Sequence, residues 1–158
     1  MISYIDNFLT EKEFEYVSNY CFNSSYTYGE QDRESTPPTG MISYIEDIDI
    51  SKLFEDKIDK SIDAVKDLRA YRMYINCFAP GENPYFHTDG KTGITCLFYA
   101  NPEFKINDGG ETQFFIDEHN FHSILPIPNR LCYFDASILH RATSFRNTHR
   151  FTIALKYK

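Results

Sequence analysis

The chain has 158 residues, enough for one domain with a substantial core, and no repeat, linker or composition break divides it. Apolar residues make up 42% and aromatics 16%, with 14 Phe, 12 Tyr and no Trp, a globular composition that leans towards β structure. A formal net charge of −7 works against a sequence-independent grip on phosphate backbones and so disfavours nucleic acid as a partner.

No apolar stretch approaches membrane-spanning length, and the opening Met1-Ile2-Ser3-Tyr4-Ile5-Asp6 lacks the basic and apolar regions of a signal peptide. The cysteines Cys21, Cys77, Cys96 and Cys132 are scattered without a C-x-x-C pair, which suits reduced, partly buried thiols better than a disulfide framework. A cytoplasmic location is therefore expected.

In chain order, residues 1–9 read as a short strand and turn. Thr10-Glu11-Lys12-Glu13 has the form of a capping box, and the helix it opens is predicted to run to about Cys21 with Phe14, Val17 and Cys21 on one side. Residues 23–40 are polar and end in Thr36-Pro37-Pro38-Thr39-Gly40, so they read as a loop, either a lid or an ordinary surface connection. From Ser51 to Leu68 the apolar residues Leu53, Phe54, Ile58, Ile62, Val65 and Leu68 recur at helical spacing, which predicts a second helix with one buried face.

From Tyr71 the texture changes to short β-type runs, with strands predicted near 71–79, 85–88, 93–100, 112–116, 121–124, 130–134, 138–144 and 149–157. Two helices followed by about eight strands predict an α+β, mainly β fold, with the N-terminal helices packed on one sheet of a sandwich or jelly roll.

The chemistry concentrates in Tyr85-Phe86-His87-Thr88-Asp89-Gly90. On an extended segment His87 and Asp89, two residues apart, point the same way. A third ligand would complete one face of an octahedral ion, and two His with one carboxylate is the facial arrangement of non-haem Fe(II) sites. His119 lies in a polar turn, His122 begins a strand and could face either way, and His140 and His149 flank the approach to the last strand.

That strand places Arg150, Thr152 and Ala154 on one face and Phe151, Ile153 and Leu155 on the other. A cation facing the interior requires an anion, and the planar guanidinium suits a carboxylate. Ile94–Tyr99 likewise sets Thr95, Leu97 and Tyr99 on one face, so the Tyr99 hydroxyl could reach the same carboxylate. A metal beside a carboxylate-binding Arg and Tyr suits a 2-oxo acid that chelates the metal at one end and is anchored at the other.

The ordered blocks Asn76-Cys77-Phe78-Ala79-Pro80-Gly81, His87-Thr88-Asp89-Gly90, Ile94–Tyr99, Gly109-Gly110-Glu111-Thr112, Leu131-Cys132-Tyr133-Phe134, Leu139-His140 and Arg150-Phe151-Thr152 resemble the 2-oxoglutarate/Fe(II)-dependent dioxygenases, in particular their prolyl 4-hydroxylase-like branch. The opening Ile5–Thr10 is similar to the lead-in to that family's first helix. The resemblance implies a double-stranded β-helix spanning residues 1–158. It implies His87, Asp89 and His140 as Fe(II) ligands, Arg150 on the distal carboxylate of 2-oxoglutarate, and Tyr99 hydrogen-bonded to that carboxylate. Thr152 and Tyr74 would line the same pocket.

The implied reaction uses O2, with ascorbate as a reductant, to hydroxylate a C–H bond while releasing succinate and CO2. The substrate implied first is a peptidyl proline or another peptide or protein side chain, and then a small molecule. Two departures stand out. Arg150 occupies the place where collagen-type enzymes carry Lys, and Phe78 lacks the hydroxyl of the Tyr that relatives often have there. Asp89 argues against the halogenating branch, where a small residue leaves room for halide. A non-catalytic jelly roll binding a small ligand or metal would leave Arg150 and Tyr99 without a purpose, and a zinc hydrolase would have no use for the Arg. Oligomeric state and the prime substrate are not encoded in these patterns.

Overall fold

The computed structural model describes residues 1–158. Helix α1 spans Glu11–Asn23 and begins with the predicted capping box: Thr10 Oγ1 accepts from Glu13 N at 3.4 Å, and Glu13 Oε2 accepts from Thr10 N at 2.8 Å. Helix α2 spans Ile48–Ser61, three residues earlier at its start than the apolar period suggests. Asp47 is the reason, because its carboxylate accepts from Asp49 N and Ile50 N at 2.9 and 3.1 Å. The helix also ends sooner than predicted. Ile62 turns extended (φ −125°, ψ 102°), and the remaining apolar residues continue as a 3-10 turn over Asp63–Val65.

Ten strands follow one antiparallel pattern: β1 Ile2–Ile5, β2 Thr27–Tyr28, β3 Met41–Tyr44, β4 Ala70–Phe78, β5 Ile94–Tyr99, β6 Thr112–Asp117, β7 Asn120–Ile124, β8 Leu131–Asp135, β9 His140–Ala142 and β10 Arg150–Tyr157. Seven form a large sheet in the order β1-β8-β5-β10-β4-β3-β2, and three form a small sheet, β7-β6-β9. The architecture is mainly β with two helices, as the sequence predicts. Two features differ. Residues 85–88 are not a strand, their only pairing being an isolated bridge between His87 and His140, while β2 and β3 lie in and just after the stretch that reads as loop.

Strand alternation in β10 divides the interior in two. Phe151, Ile153, Leu155 and Tyr157 join the larger core, in which Val17 and Cys21 of α1 and Ile50, Phe54 and Ile58 of α2 are buried against the large sheet. Phe54 meets Phe98 edge to face, with centroids 5.0 Å apart. Each such fully buried side chain contributes roughly 1.5–3 kcal/mol. The opposite face turns towards the small sheet, where Leu97, Cys132, Phe134 and Ala154 meet Phe114 and Ile124. One end of this inter-sheet layer is left polar, and the candidate site lies there.

Candidate active site

His87 and His140 are brought face to face by backbone pairing. Each N–H donates to the other residue's carbonyl at 2.9 Å, and the rings sit with centroids 4.6 Å apart. Asp89 N and Gly90 N both donate to Ala136 O, at 2.9 and 3.1 Å, which folds the carboxylate back towards the rings. The result is a cluster in which one ligand atom from each of His87, Asp89 and His140 lies within 4.8 Å of the others. Asp89 Oδ1 is 3.6 Å from His87 Nε2, and Oδ2 is 3.6 Å from His140 Nε2.

Both Nδ1 atoms face carbonyls, Tyr85 O at 3.0 Å for His87 and Ile138 O at 2.8 Å for His140. A carbonyl can only accept, so Nδ1 carries the proton and Nε2 presents its lone pair to the centre. Burial pushes His140 down to about pKa 4, which keeps it neutral and able to ligate. Burial alone would raise the Asp89 pKa, but His140, Lys156 and Thr95 outweigh it and hold the carboxyl below its ordinary value. Two imidazole nitrogens and a carboxylate oxygen, with no thiol in the cluster, fit a mid-row divalent ion such as Fe(II).

A cavity of about 250 Å³ runs from this cluster along the inner face of β10, where Arg150, Thr152, Ala154 and Lys156 line it in sequence. Arg150 is 1% exposed, and its hydrogen-bond partners are neutral oxygens: Gly110 O at 2.7 Å, Thr112 Oγ1 at 3.0 Å and Thr152 Oγ1 at 3.4 Å. No carboxylate pairs with it, and burial pushes its pKa down. A buried guanidinium whose hydrogen bonds all go to neutral oxygens, with the Glu111 charge acting only from a distance, is a ready partner for an anion. Gly110 is needed for this arrangement: its φ is +85°, and a Cβ there would come within 2.2 Å of the Phe145 ring.

The other sequence candidates fall at different distances from this centre. Thr152 and Tyr74 line the cavity. Tyr99 is fully buried and stands behind the wall, its hydroxyl donating to Thr112 Oγ1 at 2.8 Å rather than facing the cavity. His119, His122 and His149 are exposed and away from the cluster.

Four further residues shape the site. Thr112 accepts from both Tyr99 and Arg150, which leaves its own hydroxyl proton free to donate into the cavity. Thr95 donates to Asp89 Oδ2 at 2.5 Å, and Lys156 donates to Asp89 Oδ1 at 2.6 Å. Asp32, from the loop between β2 and β3, places Oδ1 3.3 Å from His87 Nδ1. Lys156 was within reach of sequence reasoning, since one more step of the β10 alternation leads from Ala154 to it. Asp32 carried no comparable signal.

No family model matches this chain, and no curated protein matches it. Solved structures do. A prolyl hydroxylase from Trichoplax adhaerens, in complex with a hypoxia inducible factor oxygen degradation domain peptide fragment, superposes with a TM-score of 0.80 at 19% identity, over 99% of this chain and 82% of that one. A Pseudomonas putida prolyl-4-hydroxylase gives 0.75 at 15% identity, over 99% and 91%. The viral collagen prolyl hydroxylase of Paramecium Bursaria Chlorella virus-1, in its 2OG complex, gives 0.68 at 16% identity, over 99% and 94%. The chain therefore has the fold of these oxygenases.

Proposed function

We propose that residues 1–158 form a single 2-oxoglutarate- and Fe(II)-dependent dioxygenase domain, a double-stranded β-helix of the prolyl 4-hydroxylase-like branch. It hydroxylates a C–H bond in a peptide or protein side chain, with peptidyl proline the first candidate, and releases succinate and CO2. The observation that carries this reading is Arg150, a buried cation without a carboxylate partner, lining the same cavity as His87, Asp89 and His140. The peptide-bound neighbour supports a peptide substrate.

In this reading His87, Asp89 and His140 hold Fe(II), and Arg150 anchors the distal carboxylate of 2-oxoglutarate. The Thr112 hydroxyl assists, oriented from behind by Tyr99, while Thr152 and Tyr74 line the walls. When bound, Fe(II) and 2-oxoglutarate supply the activation of O2, and ascorbate serves as reductant. The protein holds the His140 imidazole neutral, fixes both Nε2 atoms inward through the Nδ1–carbonyl contacts and neutralises the cosubstrate. Four free, buried thiols suit a reducing compartment, which we take to be the cytoplasm.

A second reading, a non-catalytic jelly roll binding a small ligand, draws on the fact that both Asp89 oxygens already have protein partners. Anaerobic titration of the apo-protein with Fe(II) and then 2-oxoglutarate separates the two readings through the visible metal-to-ligand charge-transfer band. Wild type should show the band, His140→Ala should lose it, and Arg150→Ala should need more than ~10-fold more 2-oxoglutarate, as loss of a charge-assisted hydrogen bond implies. Bound iron with no band would favour the non-catalytic reading.

A further inference from the structure

We infer that Asp32 is a positioning residue for His87, and that through it the docking of the Gly29–Gly40 loop and the binding of the metal are thermodynamically linked. The inference rests on the metal site proposed above and goes beyond it.

Each histidine of the cluster donates Nδ1–H to the carbonyl two residues before it, but only at His87 does Nδ1 also face a carboxylate. Asp32 lies 55 residues upstream of His87 (87 − 32) in a loop that has no ladder pairing with the His87 segment. Its side chain is 8% exposed, and the His87 side chain is 20% exposed. While Oδ1 faces His87 Nδ1, Oδ2 accepts from Tyr85 N at 2.6 Å and from Thr39 Oγ1 at 3.0 Å. One carboxylate therefore ties together the imidazole, the backbone that carries it and the far end of the loop.

The neighbours of Asp32 strengthen the attachment: Arg33 donates to Phe86 O, and Glu30 pairs with Arg72 at 3.4 Å. Glu30, Gln31 and Asp32 also line the cavity, so the loop forms part of its wall. The loop closes at its neck, where Gly29 N donates to Gly40 O at 3.4 Å and both glycines have positive φ (124° and 79°). The segment is therefore a loop closed at its base, bonded within itself and held to the His87 segment through Asp32 and Arg33.

A cation on Nε2 draws electron density out of the ring and leaves its Nδ1 edge more positive, so it strengthens the electrostatic contact with the Asp32 carboxylate while Nδ1–H stays on Tyr85 O. By the same linkage, a docked Asp32 makes His87 a better ligand. Losing such an outer partner commonly weakens metal binding 10–100-fold.

The test uses the full chain and Mn(II) as an O2-stable probe. Asp32→Asn keeps an oxygen for Tyr85 N and Thr39 while removing the carboxylate charge that faces His87 Nδ1. Its Mn(II) affinity should fall by at least 10-fold. In wild type, Mn(II) should slow hydrogen exchange at Arg33, Thr36 and Thr39, whose amides are bonded within the loop. In Asp32→Asn that protection should be absent. A merely structural Asp32 would speed exchange equally with and without metal. Equal Mn(II) affinity in the two proteins, or loop exchange indifferent to Mn(II) in wild type, would overturn the linkage alone. Failure of wild type to bind Mn(II) would overturn the metal site as well.

Discussion

Asp89 is held at both oxygens by protein donors, and the Lys156 ammonium is the charged one of the pair. The side chains are 12% and 4% exposed, so removing the lysine strands a carboxylate away from water. Lys156→Met should destabilise the metal-free protein by roughly 3–5 kcal/mol, the usual range for breaking one side of a buried pair. A divalent ion bound at the proposed site would take over the neutralisation of Asp89, so the deficit should shrink when Mn(II) is added. Urea unfolding of both proteins, with and without Mn(II), measures the four stabilities; a deficit of the same size in both conditions would mean the metal does not bind at Asp89. Of the histidines, His140→Ala should abolish Mn(II) binding, whereas His122→Ala, at an exposed position of β7, should leave it unchanged within about 2-fold, well under the effect of losing even an outer-shell partner. Isothermal titration decides between them. At this scale the sequence singles out Arg150 by residue type and alternation, but His87 and Asp89 by residue type alone, since their segment is not a strand. It could not reveal that the Tyr99 hydroxyl is taken by Thr112, because that depends on how closely β5 and β6 approach across the two sheets.

Helix α2 shows why element boundaries were less legible than element identity. The apolar period set the buried face correctly through Phe54 and Ile58, but the start is fixed by Asp47, a cap inside an acidic run that resembles a loop. Asp47 also accepts from the Tyr16 hydroxyl, which ties the start of α2 to α1. Asp47→Ala should cost about 1–2 kcal/mol of stability. It should leave Mn(II) affinity unchanged, because the helices pack on the face of the large sheet opposite the cavity. A change in Mn(II) affinity would mean that the two faces are coupled through β10. The His87 segment poses the reverse problem: residues 85–88 have strand-like composition but make a single bridge. Asp89 N and Gly90 N share one carbonyl instead of continuing a ladder, and this irregularity is what turns Asp89 towards the rings. β2 and β3 were hidden for a simpler reason, since two- and four-residue strands are too short to establish a period.

In the whole molecule, the polar end of the inter-sheet layer is joined at two places. Arg150 of the large sheet donates to Gly110 O and Thr112 of the small-sheet side, and His87 and Asp89 meet His140 at the start of β9. A metal at the cluster would join a segment between β4 and β5 to the small sheet, so it binds the assembled protein and not the unfolded chain. At a free Mn(II) concentration 100 times the dissociation constant, the native state should gain about 2.7 kcal/mol. For a domain of this size that corresponds to a rise in melting temperature of roughly 5–10 °C, and chelation should reverse it. The sign for 2-oxoglutarate follows from the two attachment points the proposed site would give it. With Mn(II) present it should raise the melting temperature further, because metal and Arg150 would hold its opposite ends; without metal the gain should be much smaller. Arg150→Ala should keep the Mn(II) shift and lose most of the added one, while His140→Ala should lose both. Thermal scans of the three proteins with Mn(II), 2-oxoglutarate and both together resolve these terms. If 2-oxoglutarate stabilised wild type equally with and without Mn(II), it would be binding at Arg150 alone, and the cavity would not join the two ends into one site.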